Sequence, residues 1–155
     1  MEDPAKFQTF ENLDAYKAAR EFRKAMYAVS RRLSDFEKFE LASQIRRAAV
    51  SLTNNIAGGH GRFHYLDQIK FMLQSRGSLE ELQDDLNVCE DEKYLPPSDI
   101  AKLKEEAWRA HKILNGYIRY LRGRKANELY ILHDGKPADD FSDDELNELL
   151  TASTH

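Results

Sequence analysis

The chain has 155 residues, a length typical of one domain that buries roughly two-thirds of its unfolded surface; 41% of the residues are hydrophobic and 32% are charged. No apolar run approaches the roughly 20 residues that a membrane-spanning helix needs, and the first residues lack the basic and apolar regions of a secretory signal. A single cysteine, Cys89, excludes an internal disulfide. We therefore expect a mostly helical, cytoplasmic protein that does not enter a membrane.

The net charge of −4 is the sum of two unlike parts. Residues 1–125 carry 22 lysines and arginines against 19 acids, a balance of +3, whereas residues 126–155 carry one lysine against eight acids, a balance of −7. This distribution predicts a helical domain over residues 1–125, followed by an acidic linker and tail over residues 126–155.

A first helix is predicted from a cap at Asn12 or Asp14 to about Leu33. Its apolar residues recur three or four positions apart, which places them on one face. This inner face consists of Ala15, Ala19, Phe22, Met26, Val29 and Leu33. The outer face carries the cations Arg20, Arg23, Lys24, Arg31 and Arg32.

A second helix is predicted over residues 37–57, where Arg46 and Arg47 are the only charged residues after position 40. A helix with so little polar surface is expected to pack on more than one side, and Val50 and Ala57 add apolar surface away from its inner face. That inner face consists of Leu41, Ile45, Ala48, Ala49, Leu52 and Ile56. Glycines at positions 58, 59 and 61 allow left-handed backbone and are expected to end the helix in a sharp turn.

Two further helices are predicted over residues 65–92 and 99–121, the second capped by Ser98. The third helix has an apolar stripe of Leu66, Ile69, Met72 or Leu73, Leu79, Leu82, Leu86 and Cys89. The fourth has a stripe of Ile100, Leu103, Ala107, Ala110, Leu114, Tyr117 or Ile118, and Leu121. Because Gly77 costs the third helix about 1 kcal/mol relative to alanine, another backbone is expected to pass close to it. Four amphipathic helices with short connections predict an all-α, up-down-up-down four-helix bundle.

Residues 126–140 are interpreted as a linker, and Ser142-Asp143-Asp144-Glu145 is a capping-box sequence that predicts a short acidic helix. Such a helix is too short to be stable alone, so it is expected either to dock on this chain or a partner or to fray. The docking residues would be Phe141, Leu146, Leu149 and Leu150. The acids lie next to the basic residues 119–125 and are expected to compete with phosphate for them; a solubilising tail is an equally weighted alternative.

Residues 41–62, LASQIRRAAVSLTNNIAGGHGR, resemble the signature of small four-helix-bundle proteins encoded in intervening sequences of bacterial 23S rRNA genes, the S23-like family. The matching residues are Ser43, Gln44, Arg46, Arg47, Ala48, Ala49, Val50, Ser51, Asn55, Ile56, Ala57, Gly59, Gly61 and Arg62. Thr53 and Gly58 stand where the family commonly has proline and glutamate. Further matches are GSLEEL at residues 77–82 and YKAA at residues 16–19.

The resemblance covers roughly residues 7–122, and it implies a ring of identical subunits, a homopentamer. It also makes the chain distantly similar to the accessory variability determinants of retroelements. Those bundle proteins assist a reverse transcriptase and bind nucleic acid, so the resemblance implies RNA or DNA as a partner.

Patterns for catalysis and metal binding are weak in this sequence. No histidine follows a glutamate by three residues, which a ferritin-like metal centre would need, and His60 and His64 lack a third ligand. Cys89 lies on a core stripe, and no Gly-x-Ser-x-Gly or phosphate-binding Gly-Lys-Ser/Thr sequence is present. The glycine turn before Arg62 could hold an anion, although a structural turn is the favoured interpretation. We expect no enzyme activity, metal or cofactor.

Clusters of cations carry the strongest indication of function. Residues 119–125, RYLRGRK, interleave one aromatic with four cations, a composition suited to phosphate contact and base stacking. A solvated helix end explains the same composition in a single chain, whereas a ring of subunits would repeat each cluster into a multivalent surface. The candidate nucleic-acid-binding residues are Arg20, Arg23, Lys24, Arg46, Arg47, Arg62, Arg119, Arg122, Arg124 and Lys125.

From these observations we expect a non-enzymatic, homo-oligomeric accessory protein that associates with RNA or DNA, with a reverse transcriptase or ribosomal RNA as its setting. Val50, Ala57 and Gly77 are the candidate contacts with a neighbouring subunit. The alternative is a protein-interaction adaptor that docks a partner through its acidic tail without touching nucleic acid.

Overall fold

The computed structural model describes residues 9–133 together with residues 143 and 144, and within these residues it is all-helical, without a strand. The four long helices are α1 (Asp14–Arg32), α2 (Leu41–His60), α3 (Tyr65–Asp91) and α4 (Pro97–His133). Short 3₁₀ turns at Phe10–Asn12 and Asp35–Glu37 precede α1 and α2. In this part of the chain, none of the helices combines the length and the apolar character needed to cross a bilayer.

Each helix packs against the next one along the chain, and α1 also packs against α4, which closes the bundle. The connections are short, so consecutive helices are antiparallel. The predicted up-down-up-down four-helix bundle is therefore confirmed.

The predicted inner faces form one hydrophobic core. Every predicted residue of the α1 and α2 faces is buried except Leu33, which is half-buried. Where the sequence left two choices, the structure buries Met72 rather than Leu73 and Ile118 rather than Tyr117. It leaves Leu66 and Leu103 half-buried. The helical spacing of apolar residues thus identified the core correctly.

The glycines at the end of α2 have a different role from the predicted one. Gly58 and Gly59 lie inside the helix, and among the described residues no glycine has a positive φ angle. A Cβ atom on Gly59 would lie 2.6 Å from Phe71 Cβ and 2.7 Å from Met72 Cε. The predicted end at position 57 was wrong, because Gly59 lets α3 approach α2 closely rather than turning the chain.

Three predicted helix starts were also wrong. Helix α2 begins at Leu41 rather than at residue 37, because the chain forms a separate 3₁₀ turn at Asp35–Glu37. Leu13 is the N-terminal flanking residue of α1 and makes no side-chain cap, so neither Asn12 nor Asp14 caps this helix. Helix α4 begins at Pro97 rather than after Ser98. Proline suits the first position of a helix, where its missing N–H would have no partner in any case.

Helix α4 continues twelve residues beyond the predicted end at Leu121 and passes through Gly123. The segment after this glycine is rich in good helix formers, Lys125 pairs with Glu128 at 3.4 Å, and Ala126 is buried. These interactions outweigh the cost of one glycine, so residues 126–133 are helix rather than linker. Of the predicted tail helix, only Asp143 and Asp144 are described; Phe141, Leu146, Leu149 and Leu150 lie outside the described residues.

Candidate nucleic-acid interface

The predicted cations do not form one patch but separate onto different faces of the bundle. A first basic groove lies between α1 and α2 and is lined by Arg23, Lys24, Tyr27, Arg31 and Val50. Arg23 Nη1 donates a hydrogen bond of 2.9 Å to Thr53 Oγ1 of α2, which holds its guanidinium at the helix pair. This groove combines three cations with the ring of Tyr27, and Arg31 lies 6.0 Å from the centre of that ring.

The neighbouring cations Arg46 and Arg47 point to different surfaces. Arg46 Nη2 donates to the Lys38 carbonyl at 3.4 Å. Arg47 Nη2 donates to Ser43 Oγ at 3.0 Å and lies beside an acidic groove rather than a basic one. Arg46 and Arg47 are therefore adjacent in the sequence but do not form one basic surface. Arg20 is exposed on α1.

The acidic groove lies between α2 and α3 and has carboxylates from Glu81, Asp84 and Asp85. Burial, together with the nearby charges of Asp84 and Glu81, raises the pKa of Asp85 to about 6. This surface disfavours additional negative charge, so it is unsuited to a phosphate.

A second basic groove, of about 570 Å³, lies between α3 and α4. Its cations are Arg76, Lys112, Arg119 and Arg122. Arg76 Nη1 donates to Asn115 Oδ1 at 3.1 Å, so the arginine of α3 is held against α4. We call the surface that these four cations line the α3–α4 groove.

Within the α3–α4 groove, the sequence identified Arg119 and Arg122 but missed Arg76 and Lys112. Lys112, Arg119 and Arg122 are spaced seven and three residues apart, which places them on one side of α4. That spacing was a usable signal, whereas Arg76 could be added only once the pairing of α3 with α4 was known.

The remaining cations lie near the end of the bundle where α2 meets α3. Arg62 lies 4.8 Å from the centre of the Phe71 ring. Arg124 Nε donates to Tyr65 Oη at 3.3 Å, and this hydrogen bond raises the pKa of Arg124. Lys125 is paired with Glu128. Each of these cations thus contacts an aromatic or acidic neighbour of the same chain.

The described residues contain no cluster of three or more His, Cys, Asp or Glu side chains that could hold a metal ion. Cys89 is buried, and its burial, with the charges of Asp85 and Glu37, raises the pKa of the thiol to about 11. A thiol with such a pKa is a poor nucleophile at neutral pH.

The candidate subunit contacts lie on two different sides of the bundle. Val50 is partly exposed in the α1–α2 groove, and Ala57, seven residues later, lies on the same side of α2. Gly77 lies on α3, and no atom of the described chain comes within 4 Å of the position of a Cβ there. The backbone expected to pass close to Gly77 is therefore not supplied by the described part of this chain.

Residues 11–116, more than half of the chain, match the model of the 23S rRNA-intervening sequence protein family. The chain belongs to this family. The match covers all of α1 to α3 and ends inside α4, so it includes Arg76 and Lys112 but stops before Arg119 and Arg122. No curated protein matches the chain.

Proposed function

We propose that this member of the 23S rRNA-intervening sequence protein family is a non-enzymatic, cytoplasmic accessory protein that forms a cyclic homo-oligomer and binds RNA or DNA. A pentamer is the expected assembly, and ribosomal RNA or a reverse transcriptase is the expected setting. The observation that carries the proposal is the convergence of four cations from two helices in the α3–α4 groove. Phosphate contacts by lysine and arginine supply most of the affinity of sequence-independent nucleic-acid binding.

A cyclic assembly strengthens this function because it repeats each basic groove in every subunit. Several weak phosphate contacts on one nucleic acid then act together, and their combined affinity exceeds that of a single groove. Such multivalent binding requires a subunit interface that leaves the α3–α4 groove open.

The charges of the other two grooves support such an interface. The basic groove between α1 and α2 carries Arg23, Lys24 and Arg31. The acidic groove between α2 and α3 carries three carboxylates beside one cation, Arg47. Two different, oppositely charged surfaces can meet head to tail, and such contacts generate a ring when the rotation between neighbours closes. Val50 and Ala57 would belong to one side of this contact, and Gly77 to the other.

A binding titration tests the nucleic-acid part of the proposal. The full chain is titrated with fluorescein-labelled single-stranded RNA and DNA of the same sequence at 50 and 200 mM salt. We expect binding at low salt that weakens steeply as salt rises, because phosphate contacts release counterions. The absence of binding at 50 mM salt would contradict the proposal and favour the adaptor hypothesis.

A charge swap tests the assembly. Lys24→Glu and Asp84→Lys are each expected to lower the mass measured by light scattering at micromolar concentration. The double variant Lys24→Glu/Asp84→Lys is expected to restore the mass, because the two new charges then meet at every contact of the ring. Glu105→Lys on α4 is the control, because Glu105 pairs only with Arg109 on its own helix at 3.5 Å among the described residues. A monomer mass for the unmodified chain would contradict the assembly.

A further inference from the structure

We infer that the α3–α4 groove is a site for a phosphodiester phosphate of the nucleic-acid backbone, and that Asp143 of the acidic tail occupies this site in the free protein. This inference rests on the proposed nucleic-acid binding and names its site and its internal competitor. The phosphate is shared by RNA and DNA, so the groove itself would not distinguish them.

The cations of the groove are arranged to receive an anion. Lys112 and Arg122 form no ion pair within the part of the chain that the structure describes. Arg122 Nε is buried and has no hydrogen-bond partner among the described residues. A buried donor without a partner costs free energy, so a shift of the Arg122 side chain that brings Nε to a bound phosphate oxygen would be favoured.

Arg76 adds a cation from the facing helix. Its hydrogen bond to Asn115 keeps the guanidinium beside α4, so less side-chain freedom is lost when an anion binds. The guanidinium groups of Arg76, Arg119 and Arg122 present several N–H donors each and match the geometry of phosphate oxygens.

The carboxylate of Asp143 is the anion now found in the groove. Asp143 Oδ2 lies 3.4 Å from Arg119 Nη2 and lines the groove with the four cations. Both side chains are about three-quarters exposed, and exposed ion pairs contribute only about 0–1 kcal/mol. The contact is therefore weak enough for a phosphate to displace, while the tether keeps the carboxylate close.

An exposed aromatic ring lies near the groove and favours a nucleic acid over a free phosphate ion. Trp108 is 59% exposed and precedes Lys112 by one helical turn on α4. Stacking of a base on an exposed aromatic ring adds about 1–3 kcal/mol per base to single-strand binding. A free phosphate ion could not use this ring.

The test measures fluorescence anisotropy of labelled 20-nucleotide RNA and DNA with the full chain at 50 and 200 mM salt. The double variant Lys112→Gln/Arg119→Gln removes two exposed cations from the groove. Lys102→Gln/Arg109→Gln removes one lysine and one arginine from other exposed positions of α4 and is the matched control. Circular dichroism confirms that both variants stay helical.

We expect the groove variant to bind about tenfold more weakly and to lower the slope of log affinity against log salt by about 1 to 2, while the control changes little. Equal losses in the two variants would overturn the groove as the site and leave the proposed function standing. No binding by the unmodified chain would instead overturn the proposed function itself. A groove-dependent loss confined to the RNA or to the DNA would overturn the assignment of the ligand as the shared phosphate.

The competitor is tested with Asp143→Asn and its neighbour Asp144→Asn, which change the net charge equally. Asp143→Asn is expected to bind about threefold more tightly than Asp144→Asn, because it removes an exposed ion pair with the groove. This difference should disappear when Lys112→Gln/Arg119→Gln is also present. Equal affinities of the two single variants would overturn the role of Asp143.

Discussion

The two sides of helix α3 carry opposite charge. On the side that faces α2, Glu81, Asp84 and Asp85 line an acidic groove. On the side that faces α4, Arg76 joins three cations of α4. The two grooves share one helix and lie within about three helical turns of each other, so their difference arises from the direction of the side chains rather than from separate parts of the chain.

The net charge of the chain therefore does not indicate the charge of its individual grooves. A chain with a net charge of −4 still has a groove whose four cations face a single described acid, Asp143. The pKa of Asp85 is raised first by burial and then by the charges of Asp84 and Glu81, so this groove disfavours further negative charge. One groove is thus suited to an anion, and the other to a basic surface such as the α1–α2 groove of a second copy.

The largest effect is expected from a substitution that moves α3 away from α2. Gly59→Ala places a Cβ within 2.7 Å of Phe71 and Met72, so the helices must separate or the side chains must shift. We expect a loss of about 1–3 kcal/mol in the free energy of unfolding, measured by urea denaturation.

Gly61→Ala is the control for this prediction. The nearest atom to a Cβ on Gly61 lies 3.7 Å away, and its φ angle of −77° suits any residue, so its stability should change little. Equal stability of the two variants would show that the close approach at Gly59 does not constrain the helix pair.

The packing role of Gly59 could not be predicted from the sequence. Helical spacing identified the inner faces, because core positions must recur three or four residues apart whatever the helices pack against. The glycines at the end of α2 were misread, since a glycine that permits a turn and a glycine that permits close packing have the same sequence signal. Only the distance to Phe71 distinguishes them.

The candidate site was predictable to a similar extent. Arg119 and Arg122 were found because they lie in a dense basic segment, but Arg76 is isolated in the sequence and gains its neighbours only through the packing of α3 on α4. The acids of residues 126–155 were expected near the basic segment because of their tether and their sign, with a solubilising tail as an equal alternative. Among these acids, Asp143 has a carboxylate oxygen 3.4 Å from Arg119 Nη2. Only the structure identifies which of the several cations Asp143 contacts.

A second prediction concerns the acidic groove and pH. The pKa of Asp85 is about 6 in the folded chain and near 4 when unfolded, so the folded state binds the proton more tightly. The free energy of unfolding should therefore fall as the pH rises from about 4 to about 6. Asp85→Asn should raise the stability at pH 7 by about 1 kcal/mol, a value reduced because solvent screens the half-buried carboxyl.

Urea denaturation at pH 4 and pH 7 measures this difference. Near pH 4 the carboxyl is protonated in the folded state, so the two proteins should be of similar stability, which makes the low-pH pair an internal control. Parallel stability curves for the two proteins across this pH range would contradict the prediction.

The smallest effect on stability is expected at Gly77, on the outer face of α3. Gly77→Ala adds a methyl group where the described chain has no atom within 4 Å, so it should stabilise the separated subunit by about 0.5–1 kcal/mol through helix propensity. Gly123→Ala in α4 meets equally open space and should stabilise the subunit similarly. If a neighbouring subunit packs on Gly77, only Gly77→Ala should also weaken the assembly, seen as a lower light-scattering mass on dilution. Equal light-scattering masses for the two variants at every concentration would show that Gly77 is not part of the subunit interface. No packing contact would then explain a glycine at this position of the helix.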